Sequence, residues 1–400
     1  MPRAGKNLLG CVLFLLLLFG VVGIIYLGVP QFKRDLEVSG AAVPSPTPPG
    51  LFQVRKPHDY GSERGSIEVS KDAIIGETEK EELDSELWFP ILLNVFGSAT
   101  ITPTPISTVP KISTCFDRTG PLITISGEQS TQYHSGSQPL PENAIVDART
   151  ATWVHVDDYP VVLEGGPDIC FSGGMVWGEY PYSTDWETMH DTTGFSFRTT
   201  GETTVENIRV HNYGDGISFS KGTPGYSFQV FGAHMTHIRD DCVQNDYMYS
   251  GLVEDSLFDG CYTAFSAQAS SSSGDNDGSQ NVWIIRDSLI RLEPMEKVYN
   301  DEGLIPGHGA FFKWNNDDDR SPRLALHNNV FRVDQPSNSE SGLGLPEGKL
   351  ISCSNNIVVW LGVGEYPDPL PETLNGQPCF TMTTDRTVWD IAVQNWMDSH

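Results

Sequence analysis

Hydrophobic and polar positions divide the chain into two textures. From Leu8 to Val29 the sequence LLGCVLFLLLLFGVVGIIYLGV is apolar and carries no charge, and at the helical rise such a run is long enough to cross the hydrocarbon core of a bilayer. From about Ile112 onward the pattern changes to short β-type runs broken by Gly, Asn, Asp and Ser, with almost no amphipathic helical period. A transmembrane helix over 1–30 and a mostly β domain over 112–400 are therefore predicted. Arg3 and Lys6 precede the apolar run, while Lys33 and Arg34 behind it are offset by Asp35 and Glu37, so the basic residues favour a cytoplasmic N-terminus with the bulk of the chain outside the cytoplasm. A cleaved signal peptide is the competing reading, but its apolar region spans only about 7–15 residues. An uncleaved signal-anchor is expected, leaving the β domain membrane-anchored at the cell surface.

Between the two lies a Pro/Ser/Thr-rich linker, 31–111. Val43-Pro44-Ser45-Pro46-Thr47-Pro48-Pro49-Gly50 reads as an extended stalk, because proline fixes φ and removes backbone donors. A charged stretch, Glu77 to Glu86, runs into Leu87–Leu93 and predicts a short helix before a second Thr/Pro-rich piece, Thr102 to Pro110.

Within the β domain an imperfect repeat recurs, with a small or amide-bearing pair ahead of two apolar residues. Val253-Glu254-Asp255-Ser256-Leu257-Phe258 and Ile285-Arg286-Asp287-Ser288-Leu289-Ile290 carry Asp-Ser. Leu326-His327-Asn328-Asn329-Val330-Phe331 and Cys353-Ser354-Asn355-Asn356-Ile357-Val358 carry Asn-Asn. Their unequal spacing suits coils of constant core joined by loops of different length. Stacked coils set equivalent side chains about 4.8 Å apart, so amides can bond as ladders, and Asn and Asp tolerate the left-handed backbone of tight bends. The prediction is an all-β fold, a right-handed parallel β-helix (solenoid). A β-sandwich ranks second, because Asn-Gly and Asp-Gly hairpin turns are scarce.

Charge narrows the partners. Of the 400 residues, 52 are Asp or Glu and 25 are Lys or Arg, a formal charge of -27, which repels phosphate backbones and excludes nucleic acid as a partner. The same charge disfavours a polyanionic substrate unless basic residues gather locally. Setting Cys11 aside, six cysteines remain (Cys115, Cys170, Cys242, Cys261, Cys353 and Cys379). Disulfides and buried free thiols are both compatible with that even number, and spacing does not choose a connectivity.

Three segments that follow their strands align: Tyr213-Gly214-Asp215-Gly216-Ile217-Ser218, Arg239-Asp240-Asp241-Cys242-Val243-Gln244 and Phe258-Asp259-Gly260-Cys261-Tyr262. Successive coils would crowd Asp215, Asp240 and Asp241, and crowded carboxylates raise one another's proton affinity, which lets one stay protonated beside an ionised base. The competing reading makes the three aspartates turn residues at solenoid bends. Gln244, Asp246 and Lys313 should point outward on their strands beside Arg239, His308 and the stacking surface of Trp314, a set suited to sugar binding.

The texture of Ile112 to Val388 resembles the pectate-lyase-like superfamily of right-handed β-helix proteins. Asp215-Gly216 and Asp240-Asp241-Cys242 are similar to segments of polygalacturonase-type glycoside hydrolases. That resemblance implies Asp240 as general acid, Asp215 and Asp241 activating water in an inverting reaction, and Gly307-His308-Gly309 as the histidine segment. The chain departs from that pattern: Tyr213-Gly214 stands for Asn-Thr, His308 arrives far later than one coil after Cys242, and a downstream Arg-Ile-Lys is missing.

The expected function is an extracytoplasmic carbohydrate-active protein that hydrolyses a polysaccharide with these aspartates. The alternatives are a non-catalytic glycan-binding or surface-structural protein and a Ca2+-dependent polysaccharide lyase. Asn315-Asn316-Asp317-Asp318-Asp319 offers oxygen ligands for Ca2+, although a solvated acidic turn is the preferred reading and no cofactor is required. No metal ligands are assigned: His234 and His237 are spaced to opposite faces of a strand, so no zinc is expected.

Overall fold

The computed structural model describes residues 115–220, 226–268, 276–296, 306–314, 320–339 and 342–400. The apolar run Leu8–Val29, the linker and its short helix lie outside the described residues. Among the described residues no helix is long and apolar enough to cross a membrane, and the transmembrane helix predicted over 1–30 falls outside them.

Among the described residues twenty-one strands join in a single sheet, and its strand pairs are parallel. The sheet closes on itself. Ile145–Val154 pairs with Met175–Trp177, then in turn with Arg209–His211, His234–Thr236 and Leu257–Ala267. From Leu257–Ala267 the pairing returns through Ile238–Gln244, Asp215–Phe219, Thr193–Glu206 and Val161–Ser172 to Ile145–Val154.

The right-handed parallel β-helix expected from the repeat is thereby corrected: the pairings form a closed nine-strand parallel β-barrel, not an open solenoid. The physical reason is strand length. Thr193–Glu206 runs for 14 residues, Val161–Ser172 for 12 and Leu257–Ala267 for 11, so each carries its hydrogen bonds around a bend and fuses faces that short strands would leave separate. Register shifts between Gly165 and Pro167 and between Asp259 and Cys261 mark such corners. Gly260 takes a φ of 128° at one of them, backbone that a side chain would strain.

Parallel register stacks like on like. Phe197 and Phe219 are register partners with ring centroids 5.6 Å apart, and Phe228, from a different strand line, stacks on Phe219 at 4.1 Å, inside a core that also holds Trp153, Phe171, Phe195 and Trp283. Burying such rings is the main favourable contribution to the fold.

The repeated polar pairs also stack. Asn329 Nδ2 donates to Asn356 Oδ1 at 3.0 Å, the Ser288 amide donates to Asn329 Oδ1 at 3.1 Å, and the Ser256 amide donates to Ser288 Oγ at 3.3 Å. The residue before each takes a left-handed φ: 48° at Asp255, 52° at Asp287, 56° at Asn328 and 54° at Asn355. The repeat is therefore a bend whose second residue satisfies buried backbone groups across neighbouring strands.

All six cysteines of the domain pair, as Cys115–Cys170, Cys242–Cys261 and Cys353–Cys379, with Cα–Cα distances of 5.4, 5.7 and 5.1 Å. Near the chain end, the helix Thr387–Ser399 lays Trp389 and Trp396 against Leu257, Leu289 and Val359.

Candidate active site

The parallel ladder brings the aspartates together. Thr193 pairs with Asp215, Ile217 with Val243, and Asp241 with Thr263. The Asp215 amide donates to Thr192 O at 2.8 Å and the Asp240 amide to Gly214 O at 2.8 Å. Asp215 sits between two glycines for a steric reason: a Cβ at Gly214 would strike the Met189 carbonyl, and one at Gly216 would strike the Met235 sulfur and the Cys242 carbonyl. The register of Ile238–Gln244 against Leu257–Ala267 shifts between Ile238 and Asp241. Asp240 and Asp241 thus lie at an irregularity of the ladder, and the Cys242–Cys261 disulfide pins the next position.

One oxygen from each of Asp215, Asp240 and Asp241 lies within 4.8 Å of the others, and all three residues are buried. Lys313 enters from its own strand, which pairs with the far side of Leu257–Ala267. Its Nζ stands 3.2 Å from Asp241 Oδ2 and 3.5 Å from Asp240 Oδ1. Asp215 accepts from Thr193 Oγ1 and from the Asp241 amide, each at 3.3 Å. The Asp241 side chain is fully covered, whereas that of Asp240 keeps 8% exposure and that of Lys313 34%. Asp240 is therefore the carboxyl of this pair that an incoming group can reach.

The electrostatics follow from burial and crowding. Burial holds the Asp215 carboxyl well above the usual carboxylate range, and Asp240 and Asp241 push it the same way. Burial and the neighbouring Asp240 raise Asp241 to about 8, against the opposing pull of Lys313. Asp246 is raised to about 6 by burial, although Lys313 and a 3.2 Å bond from Ser266 Oγ favour its ionised form. Burial alone would lower the proton affinity of Lys313, but Asp241, Asp240, Asp246 and Asp215 outweigh it and raise it. The site therefore holds protons into the neutral range while keeping a fixed cation among its carboxyls.

Other predicted residues separate into two groups. Gln244 stands in one column with Ser218, Ser266 and Lys313, and Asp246 is bonded to that column through Ser266. Arg239 borders the cluster in sequence, but its guanidinium is engaged with the carbonyls of Pro181 and Tyr182, both at 3.0 Å, and of Thr184. His308 is buried and bonded to the carbonyls of Gly309, at 3.1 Å, and Gln335, at 3.0 Å. Trp314 is 5% exposed and stacked on Trp283, with its indole N–H donating to Pro322 O. It is a core residue, so the sugar-stacking surface expected of it is not presented. The run Asn315–Asp319 lies outside the described residues.

Two contributors went unread in the sequence. Tyr262 lies 8% exposed beside the cluster, and burial together with Asp240 pushes its phenol up to about 12. It directly follows Cys261, at the place where a histidine was sought, which was the available signal. Thr193 had no such signal, because only the register of the long strand brings its hydroxyl to Asp215.

Three carboxylate oxygens this close could hold a metal ion, and hard oxygen donors suit Ca2+ or Mg2+. The fit is partial, because the Lys313 ammonium already faces Asp240 and Asp241. No family model, no curated protein and no solved structure matches the chain.

Proposed function

We propose that Asp215, Asp240 and Asp241 carry out acid–base hydrolysis of glycosidic bonds in a polysaccharide. The observation that carries this reading is the trio of buried carboxyls, with oxygens within 4.8 Å, gathered around one lysine. Turn residues at solvent-facing bends need neither such burial nor an internal counter-ion. A site that keeps some carboxyls protonated beside ionised ones supplies both halves of proton transfer at one bond.

A proton held by the raised carboxyls Asp215 and Asp241 is passed to the leaving glycosidic oxygen on the side of Asp240, the more open side chain of the Lys313-bound pair, as the C–O bond breaks. A neighbouring ionised carboxylate attacks the anomeric carbon as that bond breaks, and water then displaces it from the glycosyl ester and returns a proton to the cluster, so one water is consumed per bond. Lys313 keeps the remaining carboxyls from accumulating unopposed negative charge. The closest oxygens fall short of the roughly 6.5–9.5 Å carboxyl gap of inverting enzymes and lie nearer the about 5–5.5 Å of retaining ones. Inversion is therefore not part of the proposal.

The test uses the full chain and a panel of polysaccharides, with release of reducing ends as the readout. Asp240→Asn should remove that release while leaving circular dichroism unchanged, and full activity of this variant would overturn the assignment. A second reading, cation-assisted elimination, is favoured by the same three oxygens. It predicts unsaturated, ultraviolet-absorbing products and loss of activity with chelator, whereas hydrolysis predicts neither.

A further inference from the structure

Among the described residues, the basic side chains Lys313, Arg239, Arg291 and Arg286 are already engaged. Lys313 Nζ lies 3.2–3.5 Å from three oxygens of Asp240 and Asp241. Arg239 is bound to three backbone carbonyls. Arg291, two strands away, pairs with Asp259 at 2.5 Å and Glu293 at 3.6 Å, and Arg286 with Glu254 at 2.8 Å. Beside the cluster runs a column of uncharged hydrogen-bonding groups held in parallel register: Ser196, Ser218, Gln244 and Ser266, ending at Lys313. The three serines are buried, with Ser218 Oγ bonded to Ser196 Oγ and Ser266 Oγ to Asp246, so the half-buried Gln244 amide is the member that can pair with a sugar hydroxyl. A sugar carboxylate placed there would instead meet Asp240 and Asp246 with no unengaged arginine or lysine among those named.

From this arrangement we propose that the site takes a neutral glycan and discriminates against polyuronates, an inference that rests on the hydrolase reading above. Lys313 acts as an internal counter-ion to the protein's own carboxyls and not as a receptor for a carboxylate on the substrate. The formal charge of -27 acts in the same direction at longer range, lowering the local concentration of a polyanion. Specificity here is repulsive: like charges brought together across an interface cost several kcal/mol.

The full chain is incubated with galactan, mannan and xylan and, in parallel, with polygalacturonate and alginate, and release of reducing ends is followed at low and high salt. Neutral polymers should be cut at least about tenfold faster, which corresponds to about 1.4 kcal/mol in the barrier. The gap should narrow as salt screens the repulsion. Gln244→Arg, which adds an unengaged cation to the neutral column, should shift the ratio toward the polyuronates. Cleavage of a polyuronate as fast as of every neutral polymer would overturn the proposed selectivity and leave the hydrolase reading standing. Absence of release from both groups would remove the hydrolase reading itself, and the selectivity with it.

Discussion

The ammonium of Lys313 lies 3.2 Å from Oδ2 of Asp241, although 72 residues of chain separate the two. Three parallel strands span that gap: Asp241 pairs with Thr263 on Leu257–Ala267, and Lys313 pairs with Ser266 on the same strand. The contact is a product of register, so the strand order that sets the fold also places the charge.

Replacing Lys313 with Met should therefore disturb chemistry and stability together. A buried pair broken on one side loses about 3–5 kcal/mol, but Lys313 is one-third exposed, and screening reduces the expected loss to about 1–3 kcal/mol. Without the cation, the neutral forms of Asp241 and Asp215 are favoured further. Both limbs of the pH–activity profile should move to higher pH. A thermal melt and a pH–rate profile check these outcomes, and an unmoved profile would show that Lys313 does not act on the reacting carboxyls.

Asp241 also predicts how stability varies with pH. Its carboxyl is raised to about 8 in the folded protein against the ordinary aspartate value of 3.8, so between those values the folded state binds the extra proton. Stability from this group is fully present below about pH 4 and is lost as the pH rises through 8. Asp246, raised to about 6, adds to the fall over the lower part of the window. The melting temperature should decline from pH 4 toward pH 8, more steeply in the wild type than in Asp241→Asn. Equal slopes in the two proteins would place the proton elsewhere.

Much of this arrangement was legible in the sequence at the level of rows and columns. The Asp-Ser and Asn-Asn pairs announced bends with left-handed residues and amide ladders, because the side-chain chemistry needed at a bend is local. The crowding of Asp215 with Asp240 and Asp241 was legible for the same reason, since matching segments on paired strands lie side by side. Closure of the sheet was not, because it depends on how far Thr193–Glu206 and Leu257–Ala267 continue around their corners, which no local pattern encodes. Trp314 and Arg239 were misread because their side chains could have turned either way. The indole stacks inward on Trp283, and the guanidinium bonds the carbonyls of a segment more than 50 residues earlier.

Trp314 can now be separated from the site by mutation. It is 5% exposed and packed on Trp283, so Trp314→Ala should cost about 3–5 kcal/mol in stability. Trp314→Phe, which keeps a ring in the stack, should lose much less and should leave the Michaelis constant for any glycan unchanged. A large rise in that constant with unchanged stability would return Trp314 to the binding surface.

The Cys242–Cys261 disulfide closes a short loop, 19 residues in sequence, beside Asp241. Changing both cysteines to Ala should lower stability by about 3 kcal/mol through the unfolded chain. If the link also holds the carboxyl irregularity in place, turnover should fall more than the folded fraction does. Activity that tracks the folded fraction alone would assign the disulfide to stability only.

Asn329 offers the sharpest test of the ladder, because its amide is used on both sides. Nδ2 donates to Ile285 O at 2.8 Å and to Asn356 Oδ1 at 3.0 Å, while Oδ1 accepts from the Ser288 amide at 3.1 Å. Asn329→Ala leaves buried partners unpaired, each worth about 1–3 kcal/mol. Asn329→Asp keeps the acceptor for Ser288 but turns the donor into a second acceptor facing two oxygens. Only the protonated acid can restore one donation, so the folded state should hold that proton to higher pH than the unfolded chain does. The destabilisation of Asn329→Asp relative to wild type should then be largest near pH 8 and shrink toward pH 4. A pH-independent difference would mean that the amide fills space without bonding along the ladder.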